Sequence, residues 1–398
     1  MARGRDIIES LFPRITSEFL GRGALMADTV AAARWFQNGG YHHETVSGTQ
    51  TLLMSRPLLE GLIRDRLLAR GNVRVRERSS VTGLVAEGAR VTGVRLAGDE
   101  EMAADLVVDA SGRGSQLPAW LQALGYDAPL EIRAGTETRY ATRLFRRCPE
   151  HLPGRLAVIV VAPPESRRGG VMLAQEDDRW LVTLGGRGGE RPPTDLAAFI
   201  DYARSHPAPE VFQVISAAKP IGDAAVYGFR SNHRRAYHQL ARFPSGLLPF
   251  ADAICAFNPV YAQGMSIAAI EDDALRRCLA DGAADLAPRF FAAIVRDVDD
   301  AWKLAASADA RYAPASVALP RKVRAINWYL DRLHIAARHE PAVSVAFREV
   351  VNLTARPASL LRPAIATRVL RGNLRQRWLD AREPLPTPVL PERAAIAP

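Results

Sequence analysis

Two acids stand at the ends of two short apolar runs that lie far apart in the chain. Asp109 closes the run 105–108 and leads into Ala110-Ser111-Gly112-Arg113-Gly114-Ser115. Asp252 closes the run 246–250 and leads through Asn258-Pro259 to Gln263-Gly264-Met265. A carboxylate at a strand end, then a glycine-shaped loop and a helix start, suits ligand binding in an open α/β sheet, where the crevice forms beyond the strand C-termini. A helix start adds free N–H groups for an anion or a carbonyl. The recurrence of the pattern predicts one site assembled from both stretches. By residue type alone, Asp252 also suits a turn cap and Asn258-Pro259 an ordinary loop.

The elements that must position these stretches read as follows. Helical pieces are expected over 7–12 and 15–20, broken at Pro13, with an amphipathic helix over 56–70 capped by Ser55. Short strands are expected at 51–54, 73–76, 81–87, 90–97 and 102–108, with turns such as Glu87-Gly88 and Gly98-Asp99 between them. From 136 onward the texture changes. Strand-like runs at 140–145, 156–161, 170–175, 180–184 and 216–219, with a helix over 195–205, predict an antiparallel sheet lobe. A helix over 265–279 follows the second acid, and helices over 290–306, 322–338 and 342–352 make a helical C-terminal region. The Pro-rich end, 384–398, is expected to be loose.

A chain of 398 residues is long enough for two or more packed units. With 48% apolar and 24% charged residues it has the composition of a globular protein. The net charge of +9 comes mostly from dispersed arginines without interleaved aromatics, which argues against nucleic acid as a partner. Cys148, Cys255 and Cys278 are odd in number and fit neither a zinc site nor a disulfide framework, so reduced thiols in a cytoplasm are expected. No apolar run reaches the roughly 20 residues of a transmembrane helix, and the start has no signal-peptide core. The pair His42-His43 sits on an expected loop, makes a poor metal site and is predicted to be solvated.

Three stretches carry a family resemblance. They are ADLVVDASGRGSQLPAWLQALGY at 104–126, FADAICAFNPVYAQGMSIAAIED at 250–272, and the weaker SRPLLEGLIRDRLL at 55–68. In these the chain resembles the FAD-dependent monooxygenases of the aromatic-hydroxylase type, near the polyprenyl-methoxyphenol hydroxylases and the polyether epoxidase-like proteins. The resemblance implies an α/β, FAD/NAD(P)-binding three-layer fold, N-terminally incomplete, made of residues 1–135 and 241–286. It implies an inserted antiparallel-sheet substrate lobe at 136–240 and a C-terminal helical region at 287–398.

By the same resemblance FAD is the cofactor and NAD(P)H the co-substrate. A hydrophobic small molecule is then hydroxylated or epoxidised with O2 through a flavin C4a-hydroperoxide. Asp252 would bond the ribityl chain, Pro259 would border the isoalloxazine, and the N–H groups of Gly264 and Met265 would face N1 and O2 of the ring. Asp109 and Gly112 would support the dinucleotide and the architecture beside it, and Arg56 would reach the pyrophosphate. Residue type alone leaves Arg56 open to an ordinary helix-surface ion pair. Tyr140, Phe145, Tyr227 and Phe229 are the candidate substrate-pocket residues, with packing in the lobe core as the other reading.

Two departures from the family pattern stand out. Ala251 and Ala262 occupy positions where the family usually has glycine. The family also opens with a strand, G-x-G-x-x-G and a helix that hold the ADP half of FAD. No such unit stands here, so the chain is expected to begin after it, with an unpaired edge on the central sheet. Two rival functions follow: a geranylgeranyl-type alkene reductase, and a truncated, non-catalytic homologue.

Overall fold

The computed structural model describes residues 1–313 and 317–382, so the expected loose end at 384–398 lies outside the described residues. The two acid-terminated runs form strands Val107–Asp109 and Leu247–Pro249, which lie side by side and parallel, with Val107 opposite Leu247 and Asp109 opposite Pro249. Leu247 and Leu248 are fully buried, as an apolar parallel strand requires. The helix Gly264–Ala280 packs beneath, turning Ile267, Ile270, Ala274 and Cys278 inward at three- and four-residue spacing. The long helix Leu286–Ala310 shares this core through Phe290, Phe291, Ile294 and Val298.

A meander of Val81–Glu87, Arg90–Leu96 and Glu101–Ala103 flanks the parallel pair. The expected single strand over 102–108 is two strands, because the chain changes partner at 104–106, leaving the meander to join Leu247–Pro249. The expected strand at 73–76 does not form. Those residues are exposed and find no sheet edge. Helix Arg56–Leu68 forms as expected, with the Ser55 side chain accepting from the Leu58 N–H at 3.2 Å.

The lobe is one seven-stranded sheet. Its order is Pro220–Phe229, Thr138–Arg146, Arg179–Arg187, Arg168–Gln175, Ala157–Val160, Ala33–Gln37 and Gly40–Tyr41. Every pairing is antiparallel except Ala157–Val160 with Ala33–Gln37. The sheet thus draws in two strands from the first part of the chain. Helices Leu196–Arg204 and Glu210–Ala217 cover one face, packing Phe199, Val211 and Ile215 on Phe145, Met172 and Trp180. The expected strand at 216–219 is the end of that second helix. Val211, Val214 and Ile215 recur at helical spacing, and a short apolar run does not distinguish the two periods. A small sheet of Glu131–Ala134, Asn232–Arg235 and Cys255–Ala256 ties the lobe's entry and exit to the acid turns.

The C-terminal helices Arg321–Ala336, Pro341–Val351 and Pro363–Asp380 dock on the lobe edge through a stack of rings. The Arg348 guanidinium lies 4.0 Å from the centre of the Trp35 ring. Trp35 stacks on His42 at 6.1 Å, His42 stacks on His334 at 5.2 Å, and Phe347 meets all three edge-on. This corrects the solvated reading for His42, while His43 is exposed as expected. His42 is buried because the helix bearing His334 lands on it. Among the described residues no helix is long and apolar enough to cross a membrane.

Burial pushes the pKa of His334 down to about 3, and Arg311 and Arg338 push the same way. The folded state therefore refuses a proton that the unfolded chain takes near pH 6.5. Stability is full above that pH and is lost as pH falls toward the folded value. Between pH 7 and pH 5 this histidine should cost about 2 kcal/mol. Denaturant midpoints at the two pH values should show that loss reduced in a His334→Gln variant.

Candidate functional site

The turn after Val107–Asp109 is built by its own acid. The Asp109 carboxylate accepts from the Ser111 N–H at 3.0 Å, the Ser111 hydroxyl at 2.5 Å and the Ser115 hydroxyl at 2.5 Å. Gly112, at φ 80°, turns the chain toward helix Leu117–Ala123. Asp109 is buried and its oxygens are engaged inside the turn, so it shapes the site without facing it.

Asp252 faces outward from the single turn Ala251–Ala253. A methyl on Gly112 would sit 3.9 Å from the Asp252 Cβ, and one on Gly264 would sit 3.6 Å from its Oδ1. Two stretches distant in sequence therefore meet at one open carboxylate, which the start of the following helix also borders. Surrounding walls partly desolvate it and raise its pKa, while the nearby Arg56 and Arg113 act in the other direction. Arg56 is also the exposed partner of Glu60 at 2.5 Å, so the surface-pair reading holds, and the same guanidinium lies close enough to act on Asp252. Arg113 escapes the sequence reading, which treats it as part of a glycine turn.

Arg235 clamps the two turns together. Its guanidinium donates to the Ala253 carbonyl at 3.0 Å, the Arg113 carbonyl at 3.1 Å and Glu131 at 3.0 Å. In the sequence it is the second residue of the doublet Arg234-Arg235. The structure buries it in strand Asn232–Arg235.

Ala251 and Ala262 both have φ 53°, in the left-handed region. Glycine suits these positions because an L side chain there costs roughly 1–2 kcal/mol. Below the turn, the Ala251 N–H donates to Glu271 Oε2 at 2.6 Å. Glu271 is fully buried and its Oε1 has no partner. Burial pushes its pKa up to about 8, the Ala251 N–H opposes that, and the charge of Asp252 adds to it. Helix Gly264–Ala280 begins without a side-chain cap, so its first N–H groups, those of Gly264 and Met265, have no capping partner. The buried Gln263 before them also has an unpartnered Oε1. Open donors, an open carboxylate and two guanidinium groups fit a ligand with hydroxyls, carbonyls and negative charge, as FAD has.

The loop at 258–262 is tied to the lobe. Asn258 caps the turn Pro259–Tyr261, accepts from the Tyr140 hydroxyl, and donates to Thr138 Oγ1 at 3.1 Å. Its N–H donates to Asn232, which donates to Asp309 at 2.7 Å. Asp309 also binds Arg187 at 2.5 Å and the Tyr261 hydroxyl. Tyr227 is exposed and stacks on Tyr140 at 6.5 Å. Phe229 lies under the Arg113 guanidinium, 4.6 Å from ring centre to carbon. Three of the four candidate pocket aromatics thus gather on the side of the acid turns. Phe145 does not. Strand alternation sends it to the opposite face from Tyr140, where it is fully buried against Phe199.

Replacing Ala251 or Ala262 by glycine should raise stability by about 0.5–1 kcal/mol each, read from denaturant midpoints. Glu271 has a folded pKa above its unfolded one. Its contribution is full below about pH 4.5 and is lost as pH rises through the folded value. Glu271→Gln should therefore gain on the native protein with rising pH, by up to roughly 3 kcal/mol between pH 4.5 and pH 7.

No family model matches the chain. Protein Rv3254 of Mycobacterium tuberculosis (strain ATCC 25618 / H37Rv) is 30% identical over 418 residues, covering 99% of this chain and 87% of its own. A flavoprotein/dehydrogenase from Cytophaga hutchinsonii matches with TM-score 0.66 at 12% identity, covering 95% of this chain and 89% of that one. The flavin-dependent brominase Bmp2 matches with TM-score 0.63 at 14% identity, covering 95% and 86%. PqsL, a probable FAD-dependent monooxygenase from Pseudomonas aeruginosa, matches with TM-score 0.59 at 14% identity, covering 87% of each. At these identities the likeness to the solved structures is one of fold. The chain therefore belongs to the family of Protein Rv3254, and its architecture is that of the FAD-dependent monooxygenases of the aromatic-hydroxylase type and of the flavin-dependent halogenases.

Proposed function

We propose that the protein binds FAD against Asp252 and works as an FAD-dependent monooxygenase. It would take NAD(P)H and O2 to hydroxylate or epoxidise a hydrophobic small molecule. The observation that carries this reading is the meeting of Gly112, Asp252 and Gly264 at one open carboxylate, with Arg56 and Arg113 beside it.

In this reading Asp252 accepts hydrogen bonds from the ribityl hydroxyls. The N–H groups of Gly264 and Met265, at the positive end of a 17-residue helix, favour negative charge on the ring edge that they meet. Arg56 and Arg113 offset phosphate charge. Pro259 borders the ring, and Asp109 with Gly112 holds the neighbouring turn. FAD, when bound, supplies the redox and oxygen chemistry. The chain's task is to hold the ring, exclude water and present the substrate. In this reading Tyr140, Tyr227 and Phe229 are the lobe residues that would present the substrate. Cys148, Cys255 and Cys278 are all unpaired, which supports a reducing, cytoplasmic setting.

FAD titration, followed by flavin fluorescence, tests the cofactor site. Asp252→Ala should weaken binding by about tenfold or more, as the loss of charge-assisted hydrogen bonds does, while Phe145→Leu should leave it near native. Unchanged affinity in Asp252→Ala would sink the proposal. With FAD bound and NAD(P)H supplied, label from isotopic dioxygen appearing in the product separates oxygenation from alkene reduction.

A further inference from the structure

The helix Pro363–Asp380 is apolar on two sides. Inward, it buries Val369 and Gly372, and a methyl on Gly372 would meet the Ala336 Cβ at 2.7 Å. Outward, it shows Leu370, Leu374 and Trp378, which are 63%, 56% and 51% exposed. Their four-residue spacing keeps them on one stripe. Leu361, on the turn before the helix, is 63% exposed as well. The water-facing side of a helix in a soluble protein is ordinarily polar, and a contiguous apolar stripe marks a contact surface.

The stripe has charged borders. By helical geometry Arg371 and Arg375 flank it on one side and Arg377 on the other. Arg362 and Arg382 stand at the two ends, and Asp380 is the helix's single acid. Arg368 and Arg371 are taken by Glu340. Among the described residues no carboxylate pairs with Arg362, Arg375 or Arg377.

We propose that this helix docks on an anionic phospholipid surface, its leucines and tryptophan entering the headgroup boundary and its free arginines meeting the lipid phosphates. Charge selects this occupant over a second copy of the chain, which would bring two arginine-rich helices face to face. An anionic headgroup layer instead neutralises them. Leucine and tryptophan bordered by arginine is the composition of helices that lie in the plane of a membrane surface. The inference does not depend on the FAD reading.

The test sediments the full chain with phosphatidylcholine vesicles, with and without a quarter of phosphatidylglycerol. Binding to the anionic vesicles alone, falling steeply as salt is raised, is the expected result. A Leu370→Glu, Leu374→Glu double variant should lose about tenfold or more of that binding. An Arg375→Gln, Arg377→Gln variant should lose both affinity and salt dependence. These side chains face water, so thermal midpoints should stay near native and show that loss of binding is not loss of fold. Three results would overturn the proposal: no binding to anionic vesicles, equal binding to neutral ones, or a native dimer that the leucine variant dissolves.

Discussion

The parallel ladder between Val107–Asp109 and Leu247–Pro249 sets the position of everything that follows each strand. Parallel strands end on the same side, so the turn at 109–115 and the turn at 250–253 must leave the sheet at one edge. An antiparallel pairing would have sent them to opposite ends. Once they share an edge, one buried guanidinium can hold both, and Arg235 does so through the carbonyls of Arg113 and Ala253. Its own charge is met by Glu131, on the strand beside it.

Holding the turns in this shape stores strain and places a proton. Two alanines sit in a backbone region that glycine prefers, on either side of the loop that carries Asn258 and Pro259. Such strain persists only where surrounding structure over-determines the backbone, and it gathers at ligand sites. Part of that determination is visible: the Ala251 N–H is fixed by a buried carboxyl on the helix below. Burial favours the neutral form of Glu271, which avoids a second negative charge behind the open carboxylate of Asp252.

The same loop is coupled to the lobe by a polar network that leaves few groups unsatisfied. Asn232, Asn258, Arg187, Tyr261 and Asp309 exchange hydrogen bonds, and all but Tyr261 are buried. Burying the Arg187–Asp309 pair gains little stability in itself, but removing one partner leaves a buried charge and costs about 3–5 kcal/mol. Gly135 is part of the arrangement. At φ 114°, a side chain there would drive its Cβ into an Asp309 oxygen. The network therefore fixes how the sheet lobe, the long helix Leu286–Ala310 and the Pro259 loop stand to one another.

Much of this was legible in the chain itself. The strand–acid–loop–helix units around Asp109 and Asp252 follow from local spacing, as do the Ser55 cap and the helices after residue 286, because periodicity and capping act over a few residues. The left-handed strain at Ala251 and Ala262 was foreshadowed by the glycines that the family keeps there. Other features depend on what lands on a residue from far away. His42 reads as solvated until the helix bearing His334 covers it, and nothing in the doublet Arg234-Arg235 shows that two turns close around its second member. Phe145 reads as a pocket aromatic until the pleat turns it to the helix-covered face. Sequence by itself determined the strand–acid–loop–helix units, the Ser55-capped helix and the helical C-terminal region, since those properties are short-range, whereas the runs at 73–76, 102–108 and 216–219 took their form from the partners they met or lacked. Tertiary structure alone decided which polar groups are buried, which carboxylate stays open and which apolar stripe is left uncovered, since burial is set by contacts between segments remote in the chain.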